Sequence, residues 1–314
     1  MNNEFNYILS NAILKCNGYH PKDDMLRKGF STIYPFTTEN INGYIREFDL
    51  NNKSLLTLGS SSDQIINSAY FNCNNQTVID ICPYTKYYFY LKKAALIELN
   101  YKDFLEYFCY KNFPITFQDN KNILNINIFN KIKKLLKELD NDSYLFWNEL
   151  YSQFNPIDIR KRLFSEDEDK INVLKELNTY LKDKDNFNII KNKIENINPT
   201  FINDDITNVN INDYFDNIWF SNLGCYHSAE YLKRLLDKYD KNLNINGKIL
   251  ICYLYDTKRD TKFQKSWNSI YDLDKTYEVL NDYITDFVSF IGTKGILHDI
   301  KSKTDSVLIY TKTK

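Results

Sequence analysis

The sequence predicts an α/β fold, in which a doubly wound and mostly parallel sheet of about seven strands is interrupted by one helical insertion. Two observations predict this class. Short apolar runs that end at glycine, proline or acidic residues alternate with segments of helical periodicity near both ends of the chain. Between these ends, residues 101–198 show helical periodicity without a strand pattern. We therefore expect residues 51–100 and 199–314 to build one sheet domain.

The first hundred residues contain a cap followed by a strand–helix–strand–helix unit. Residues 1–50 combine short helical patterns, one of them at Glu39–Phe48, with an aromatic and proline bend at Ile33–Phe36, which predicts an N-terminal helical cap. The unit that follows consists, in order, of strand Ser54–Leu58, helix Asp63–Phe71, strand Thr77–Cys82 and helix Tyr84–Leu99. Gly59 and Pro83 end its two strands, because both residues favour turns.

Residues 101–198 interrupt the alternation. The periodic segments that predict helices there are Ile128–Leu139, Tyr144–Phe154, Asp167–Leu181 and Phe187–Ile197. Such an insertion leaves the sheet at one edge, and loops at that edge carry function on scaffolds of this kind. We predict that this segment forms a helical cap over the carboxyl edge of the sheet and selects the substrate.

The alternation resumes after residue 198. The predicted elements are strands Phe201–Ile202, Phe215–Phe220 and Gly247–Leu254, helices Ser228–Tyr239 and Leu273–Tyr283, and two final strands, Phe287–Ile291 and Ser306–Tyr310. The last two strands are closely linked, which predicts an antiparallel pair at one edge of the sheet.

The composition of the sequence limits the possible partners and the cellular location of the protein. The formal net charge is −1 over 314 residues, so no basic surface is predicted and nucleic acid is not favoured as a partner. No apolar run is long enough for a membrane helix, and the polar first residues lack a secretory signal, so we predict a cytoplasmic protein. The six cysteines are scattered without a C-x-x-C pair, which favours neither a metal site nor a disulfide framework.

Small residues follow the first predicted strand, at the point where a doubly wound sheet binds its ligands. Gly59, Ser60 and Ser61 form a turn into the helix that begins at Asp63, and free backbone N–H groups at such a position favour an anionic group. Asp63 could accept hydrogen bonds from a ligand ammonium. The alternative is that Gly59 only makes a turn and that Asp63 and the serines cap the helix.

Acidic residues follow the next two predicted strands. Asp80 ends the second strand about twenty residues after Gly59, the spacing at which a carboxylate meets ribose hydroxyls in nucleotide-binding units. Asp205 follows the third strand and could accept a bond from a base amino group, while Ile81 and Ile206 could enclose an adenine ring. The alternatives are that backbone donors or water satisfy Asp80 and that water solvates Asp205.

The segment after the strand Phe215–Phe220 is predicted to face the transferred group. Ser221 and Asn222 offer small polar side chains there, Tyr226 offers a ring face to a cation, and His227 could act as a general base. In the alternative, Ser221 and Asn222 cap the next helix, and Tyr226 and His227 point to solvent.

Residues 54–108 resemble a known family segment. The resemblance rests on three groups of residues, Ser61-Ser62-Asp63-Gln64, Ile79-Asp80-Ile81-Cys82-Pro83, and Leu91-Lys92 with Ala94 ahead of Asp103–Phe108. They are similar to the Ser-Gly-Gly-Asp-Asn turn, the Val-Asp-Leu-Asn-Pro strand end and the Leu-Lys-x-Ala helix of the DUF3419, betaine-lipid-synthase-like group of class I S-adenosylmethionine-dependent transferases. A serine replaces a turn glycine and Cys82 replaces the asparagine before proline.

The resemblance implies a Rossmann-like seven-stranded sheet of the class I methyltransferase type, with S-adenosyl-L-methionine as co-substrate and contacts at Asp63, Asp80 and Asp205. Methyl transfer to a small-molecule or lipid-like acceptor is the first hypothesis. The alternatives are transfer of the 3-amino-3-carboxypropyl group and a module that binds the cofactor without catalysis. A nicotinamide dehydrogenase is less favoured, because the turn after the first strand lacks the G-x-G-x-x-G pattern.

Overall fold

The computed structural model describes residues 3–19, 32–59, 61–109, 118, 121–165, 171–225, 227–252, 278–301 and 304–314. Its strands are β1 Ser54–Leu58, β2 Asn75–Asp80, β3 Thr200–Asn203, β4 Phe215–Trp219, β5 Leu243–Ile251, β6 Asp286–Ile291 and β7 Thr304–Thr311. They form one sheet in the order β3-β2-β1-β4-β5-β7-β6.

The chain reverses its direction of travel across the sheet between β1 and β4. β1 pairs in parallel with β2 on one side and with β4 on the other. β7 runs antiparallel to both of its neighbours, β5 and β6. The sheet confirms the predicted fold class, a doubly wound, Rossmann-like seven-stranded sheet of the class I methyltransferase type. The predicted antiparallel pairing of the last two strands is also present, with β6 rather than β7 at the outer position.

Helices cover both faces of the sheet. They are α1 Asn3–Cys16, α2 Asp63–Tyr70, α3 Thr85–Glu98, α4 Tyr101–Phe108, α5 Ile126–Leu139, α6 Asn141–Gln153, α7 Pro156–Leu163, α8 Ile171–Leu177, α9 Lys184–Ile194, α10 Ala229–Asp240 and α11 Thr293–His298. Asn, Asp or Ser side chains accept a backbone bond at the start of six of them, namely α4, α5, α6, α7, α9 and α10. These caps explain why the polar, asparagine-rich connections give clean helix starts.

Adjacent residues of each strand point to opposite faces and join different clusters. Ile79 of β2 packs with α10 in one cluster, whereas Val78 packs with α2 and α3 in the other. α3 is buried almost all round, because it lies between the sheet and a further layer of helices.

That further layer is the helical insertion. Helices α5, α6, α7 and α9 of the insertion pack on α1, α2 or α3, and their apolar residues share one cluster with those helices. A buried bond from the Trp147 indole to the backbone carbonyl of Tyr87, 2.8 Å long, joins the insertion to α3. The insertion therefore lies outside α2 and α3, and its predicted role in selecting the substrate stays a prediction.

Local differences from the sequence predictions have packing causes. Glu39–Phe48 contains two 3-10 turns, Ile41–Gly43 and Ile45–Glu47, instead of a helix. A Cβ at Gly43 would lie 2.4 Å from the Phe290 ring, so the close approach of β6 sets this conformation.

β5 begins at Leu243, ahead of the predicted start at Gly247. Asn246 adopts a left-handed conformation within the strand, with φ of 65°, and the register of β4 and β5 shifts beside it. The strand thus continues through a β-bulge at a position where the sequence pattern is typical of a turn. Residues 253–277, with the first five residues of the predicted helix Leu273–Tyr283, lie outside the described residues.

Candidate functional site

A cavity of about 440 Å³ lies at the carboxyl ends of β1, β2, β3 and β4. Seven of the predicted site residues line it: Asp80, Ile81, Asp205, Ile206, Ser221, Asn222 and His227. The lining also contains residues that the sequence did not indicate, among them Thr32, Tyr34, Thr85 and Tyr231. Because the cavity sits where the strand order reverses, it occupies the ligand position of a doubly wound sheet.

Asp80 is held firmly on the cavity wall. One carboxylate oxygen accepts a 2.8 Å bond from the Cys82 backbone N–H, and the other accepts a 2.9 Å bond from the Thr85 hydroxyl. Gly59 passes directly beside it, since a Cβ there would lie 2.8 Å from Asp80 Oδ2 and 2.4 Å from Thr85 Cγ2. Gly59 is therefore required for the close packing of the β1 turn against this carboxylate, although it does not itself line the cavity.

Asp205 and two isoleucines form another part of the lining. The Asp205 carboxylate accepts bonds from the backbone N–H of Thr207, 2.8 Å, and from its hydroxyl, 2.6 Å, which fixes the loop after β3. Ile81 is 39% exposed and Ile206 is 7% exposed, and both contribute apolar surface to the cavity. A carboxylate beside two aliphatic side chains suits a flat ring that carries an amino group.

The structure places Asp63 in the interior, away from the cavity lining. Its carboxylate accepts bonds from Lys92 Nζ, 2.8 Å, from the Tyr180 hydroxyl, 2.7 Å, and from the Thr37 backbone N–H, 2.6 Å. Lys92 also donates to the carbonyl of Ser61, 2.9 Å. Protein groups thus occupy the Asp63 carboxylate and the Ser61 carbonyl, and a ligand contact at Gly59, Ser61 or Asp63 stays a prediction. Ser60 lies outside the described residues.

Ser221 begins the loop after β4 in a left-handed conformation, with φ of 51°. Its carbonyl accepts a bond from the Cys252 N–H, 2.9 Å, and its hydroxyl donates to the carboxylate of Glu39. Glu39 was not predicted as a site residue. The signal in the sequence was a single acidic residue in an otherwise polar and apolar stretch, which does not distinguish it from a surface carboxylate.

His227 lies over the ring of Tyr231 at the cavity wall. Their ring centroids are 3.9 Å apart and the planes differ by 14°. Burial lowers the pKa of His227, and the nearby Asp205 carboxylate opposes this effect. The imidazole is therefore neutral near pH 7 and can accept a proton. Tyr226 lies outside the described residues, so its predicted catalytic role stays a prediction.

We expect the pKa of His227, measured by NMR titration, to fall below 6.5, the ordinary histidine value. Asp205→Asn should lower it further, because the substitution removes the negative charge that favours the imidazolium. A His227 pKa above 6.5, or one that rises in Asp205→Asn, would contradict this assignment.

A strap formed by residues 32–39 closes one side of the cavity with Thr32 and Tyr34. Ile33 of the strap exchanges backbone bonds of 2.8 Å with Leu163 and Ser165 of the insertion. Farther along, the Thr38 carbonyl accepts a 2.7 Å bond from the Thr293 hydroxyl. The described residues of 101–198 do not line the cavity, but they hold this strap in place.

In the part of the chain that the structure describes, no group of three His, Cys, Asp or Glu side chains is arranged to hold a metal ion. None of the described helices combines the length and apolar character that crossing a bilayer requires.

Comparison with known proteins gives similar folds at low identity. No protein-family model matches the sequence, and no curated protein matches it. Among solved structures, the N-methyltransferase NodS from Bradyrhizobium japonicum WM9, in complex with S-adenosyl-L-homocysteine, has 9% identity and a TM-score of 0.42, with 98% of this chain and 99% of NodS covered.

Two further solved structures have the same kind of similarity. Magnesium protoporphyrin IX methyltransferase from Synechocystis PCC 6803, with bound S-adenosyl-L-homocysteine, has 8% identity and a TM-score of 0.37, with 86% of this chain and 78% of that chain covered. Geranyl diphosphate C-methyltransferase from Streptomyces coelicolor A3(2) has 6% identity and a TM-score of 0.38, with 92% and 77% covered. These values assign neither a substrate nor a reaction to this chain.

Proposed function

We propose that the protein is an S-adenosyl-L-methionine-dependent transferase that binds its co-substrate in the cavity at the carboxyl ends of β1 to β4. The observation that carries this proposal is the arrangement of the cavity wall. A fixed carboxylate, Asp80, lies at the end of β2, and the Asp205 carboxylate with Ile81 and Ile206 lies beside it. In the proposed complex, Asp80 accepts bonds from the ribose hydroxyls, and the adenine ring lies between the isoleucines with its amino group toward Asp205.

The sulfonium end of the co-substrate is placed at Ser221 and Asn222, the cavity residues that follow β4. A nucleophile on the acceptor forms a bond to the transferred carbon, and the electron pair of the broken C–S bond stays on sulfur. The neutral imidazole of His227 takes the proton that the acceptor releases. This reaction depends mainly on alignment of nucleophile, carbon and sulfur, so positioning by the cavity supplies most of the catalysis.

Methyl transfer to a small-molecule or lipid-like acceptor is the proposed reaction. Transfer of the 3-amino-3-carboxypropyl group is the second candidate, and it is supported by the resemblance of residues 54–108 to the betaine-lipid-synthase-like group. The DUF3419 grouping itself stays a prediction, since no family model matches. A module that binds the co-substrate without catalysis is the third candidate.

Binding and product analysis test these candidates together. We expect calorimetry to show that the purified protein binds S-adenosyl-L-methionine. In turnover with the small-molecule and lipid fractions of a cell extract as acceptors, mass spectrometry should detect S-adenosyl-L-homocysteine. Release of methylthioadenosine instead would indicate aminocarboxypropyl transfer, and binding without either product would indicate a non-catalytic module. Absence of binding to both S-adenosyl-L-methionine and S-adenosyl-L-homocysteine would refute the proposed function.

A further inference from the structure

A buried carboxylate lies directly behind the Ser221 end of the cavity. Glu39 is 2% exposed, and its carboxylate accepts bonds from the Ser221 hydroxyl and from the Tyr44 hydroxyl, the latter 2.5 Å long. The side-chain amide of Gln64 lies 3.5 Å from it, and the backbone N–H of Asn222 also donates to it. Each of these donors is an uncharged group.

The partners of Glu39 among the described residues carry no positive charge. Within the described residues, no lysine, arginine or histidine forms an ion pair with Glu39. A second buried carboxyl, Asp305 of β7, is 2% exposed. Burial raises the pKa of Asp305 to about 7, and the charge of Glu39 adds to this effect, whereas the Thr293 N–H and Lys294 of α11 oppose it. The carbonyl oxygen of the Gln64 side chain is buried and has no donor among the described residues. An ionised Glu39 in this region favours a nearby cation, because an uncompensated buried charge is costly.

Two residues that contact the Glu39 carboxylate also line the cavity. Ser221 and Asn222 bond to Glu39 and also line the cavity. Ser221 is itself 2% exposed and has a left-handed backbone, which a residue other than glycine adopts only when its surroundings hold it. An ionised Glu39 therefore acts on the cavity through these two residues, and the interaction of two charges is stronger in the protein interior than in water.

We infer that Glu39 makes the Ser221 end of the cavity selective for a positively charged group, and that this group is the sulfonium of S-adenosyl-L-methionine. The inference rests on the function proposed above and adds a specificity-determining residue to it. Glu39 acts through Ser221 and Asn222 without touching the ligand, so its role is electrostatic and positional.

The charge of the ligand changes during the proposed transfer. When the electron pair of the C–S bond stays on sulfur, the sulfonium becomes a neutral thioether, and the attraction of the Glu39 carboxylate for that atom disappears. Glu39 thereby favours the co-substrate over its product and assists product release. Burial raises the pKa of Glu39, and the bonds from Ser221, Tyr44, Asn222 and Gln64 oppose this effect. A cation at Ser221 adds to those bonds in favouring the ionised carboxylate.

The ratio of two affinities tests this role. S-adenosyl-L-methionine and S-adenosyl-L-homocysteine share the nucleoside and amino acid parts, and they differ in the charge on sulfur. We expect calorimetry to show that the wild type binds S-adenosyl-L-methionine about tenfold more tightly, a difference that one opposite charge at a few ångströms can supply. In Glu39→Gln, which keeps the size of the side chain and removes its charge, the ratio should fall to near one.

Two further variants separate charge from structure. Tyr44→Phe removes a hydrogen bond that favours the ionised form of Glu39, so its affinity ratio should fall part of the way toward one. Glu176→Gln removes an exposed acidic group outside the cavity lining and should leave the ratio unchanged. Thermal melting of each variant reports whether it folds.

Each outcome decides the inference. An unchanged ratio in a folded Glu39→Gln variant overturns it. If that variant does not fold, the wild type decides alone, because equal or tighter binding of S-adenosyl-L-homocysteine overturns the inference and preference for S-adenosyl-L-methionine supports it. If the wild type binds neither compound, the result refutes the proposed function itself, on which this inference rests.

Discussion

Replacing Lys92 with methionine is expected to destabilise the protein by about 3 to 5 kcal/mol. The side chains of Lys92 and Asp63 are both completely buried, and their ion pair is 2.8 Å long. Lys92 Nζ also lies 4.1 Å from the centre of the Phe36 ring and 5.0 Å from that of Tyr88. Methionine keeps the apolar packing but leaves the Asp63 carboxylate without its cation. Urea unfolding followed by circular dichroism measures the loss.

A second substitution tests whether the unpaired Asp63 charge causes the loss of stability. Asp63→Asn in the Lys92→Met background removes the unpaired charge, so the double variant should be more stable than Lys92→Met alone. Lys102→Met is the matched control. Its side chain is 81% exposed and forms only a 3.9 Å pair with Glu106, so a change below about 0.5 kcal/mol is expected. A Lys92→Met variant as stable as Lys102→Met would show that the buried pair is not required.

Replacing Asp80 with alanine is expected to weaken S-adenosyl-L-methionine binding by roughly 30- to 150-fold, or about 2 to 3 kcal/mol, the range for hydrogen bonds to a charged group. The carboxylate is placed at the end of β2 by the Cys82 N–H and the Thr85 hydroxyl, so its position is set before the ligand binds. Titration calorimetry with the purified variant gives the ratio directly.

Two further variants serve as controls for the loss of affinity in Asp80→Ala. Thr85→Ala removes one bond to Asp80 but keeps the carboxylate, so the affinity should fall much less than in Asp80→Ala. Asp213→Ala removes an exposed acidic group that does not line the cavity and should bind as the wild type does. Equal affinities of Asp80→Ala and wild type would remove Asp80 from the site.

The sheet was predictable because its strands are short apolar runs with clear stops. Ser54–Leu58 was predicted with the boundaries of β1, and Phe287–Ile291 lies within one residue of β6. The cavity residues that follow β2, β3 and β4 were predictable for the same reason, since residues after parallel strands meet at one edge of the sheet.

The residues that the sequence did not reveal depend on contacts between distant segments. Asp63 begins a helix after β1, where it could face a ligand or the interior, and the buried partner Lys92 in α3 decides the matter. Glu39 looked like an ordinary acidic residue until the fold placed it 2% exposed against Ser221. Its partner is 182 positions away, and no local pattern records such a pairing.

One signal of the second helical layer was present in α3. Its sequence, TKYYFYLKKAALIE, has aromatic and aliphatic residues around the whole helix, which is typical of a helix without a solvent face. The insertion covers the side of α3 that would otherwise meet water, as the buried Trp147 bond to Tyr87 shows.

The strap of residues 32–39 has a consequence for biosynthesis. All three of these partners lie C-terminal to the strap, so each is synthesised after it. The Thr37 bond to Asp63 spans 26 positions, the Glu39 bond to Ser221 spans 182, and the Thr38 bond to Thr293 spans 255. Translation proceeds at about 5 to 20 residues per second, so the strap waits tens of seconds or less for its last partner. A nascent chain therefore cannot complete these contacts of the strap before α11 has been synthesised, and a ribosome-bound chain truncated before α11 should leave the Thr38 end of the strap more accessible to proteases.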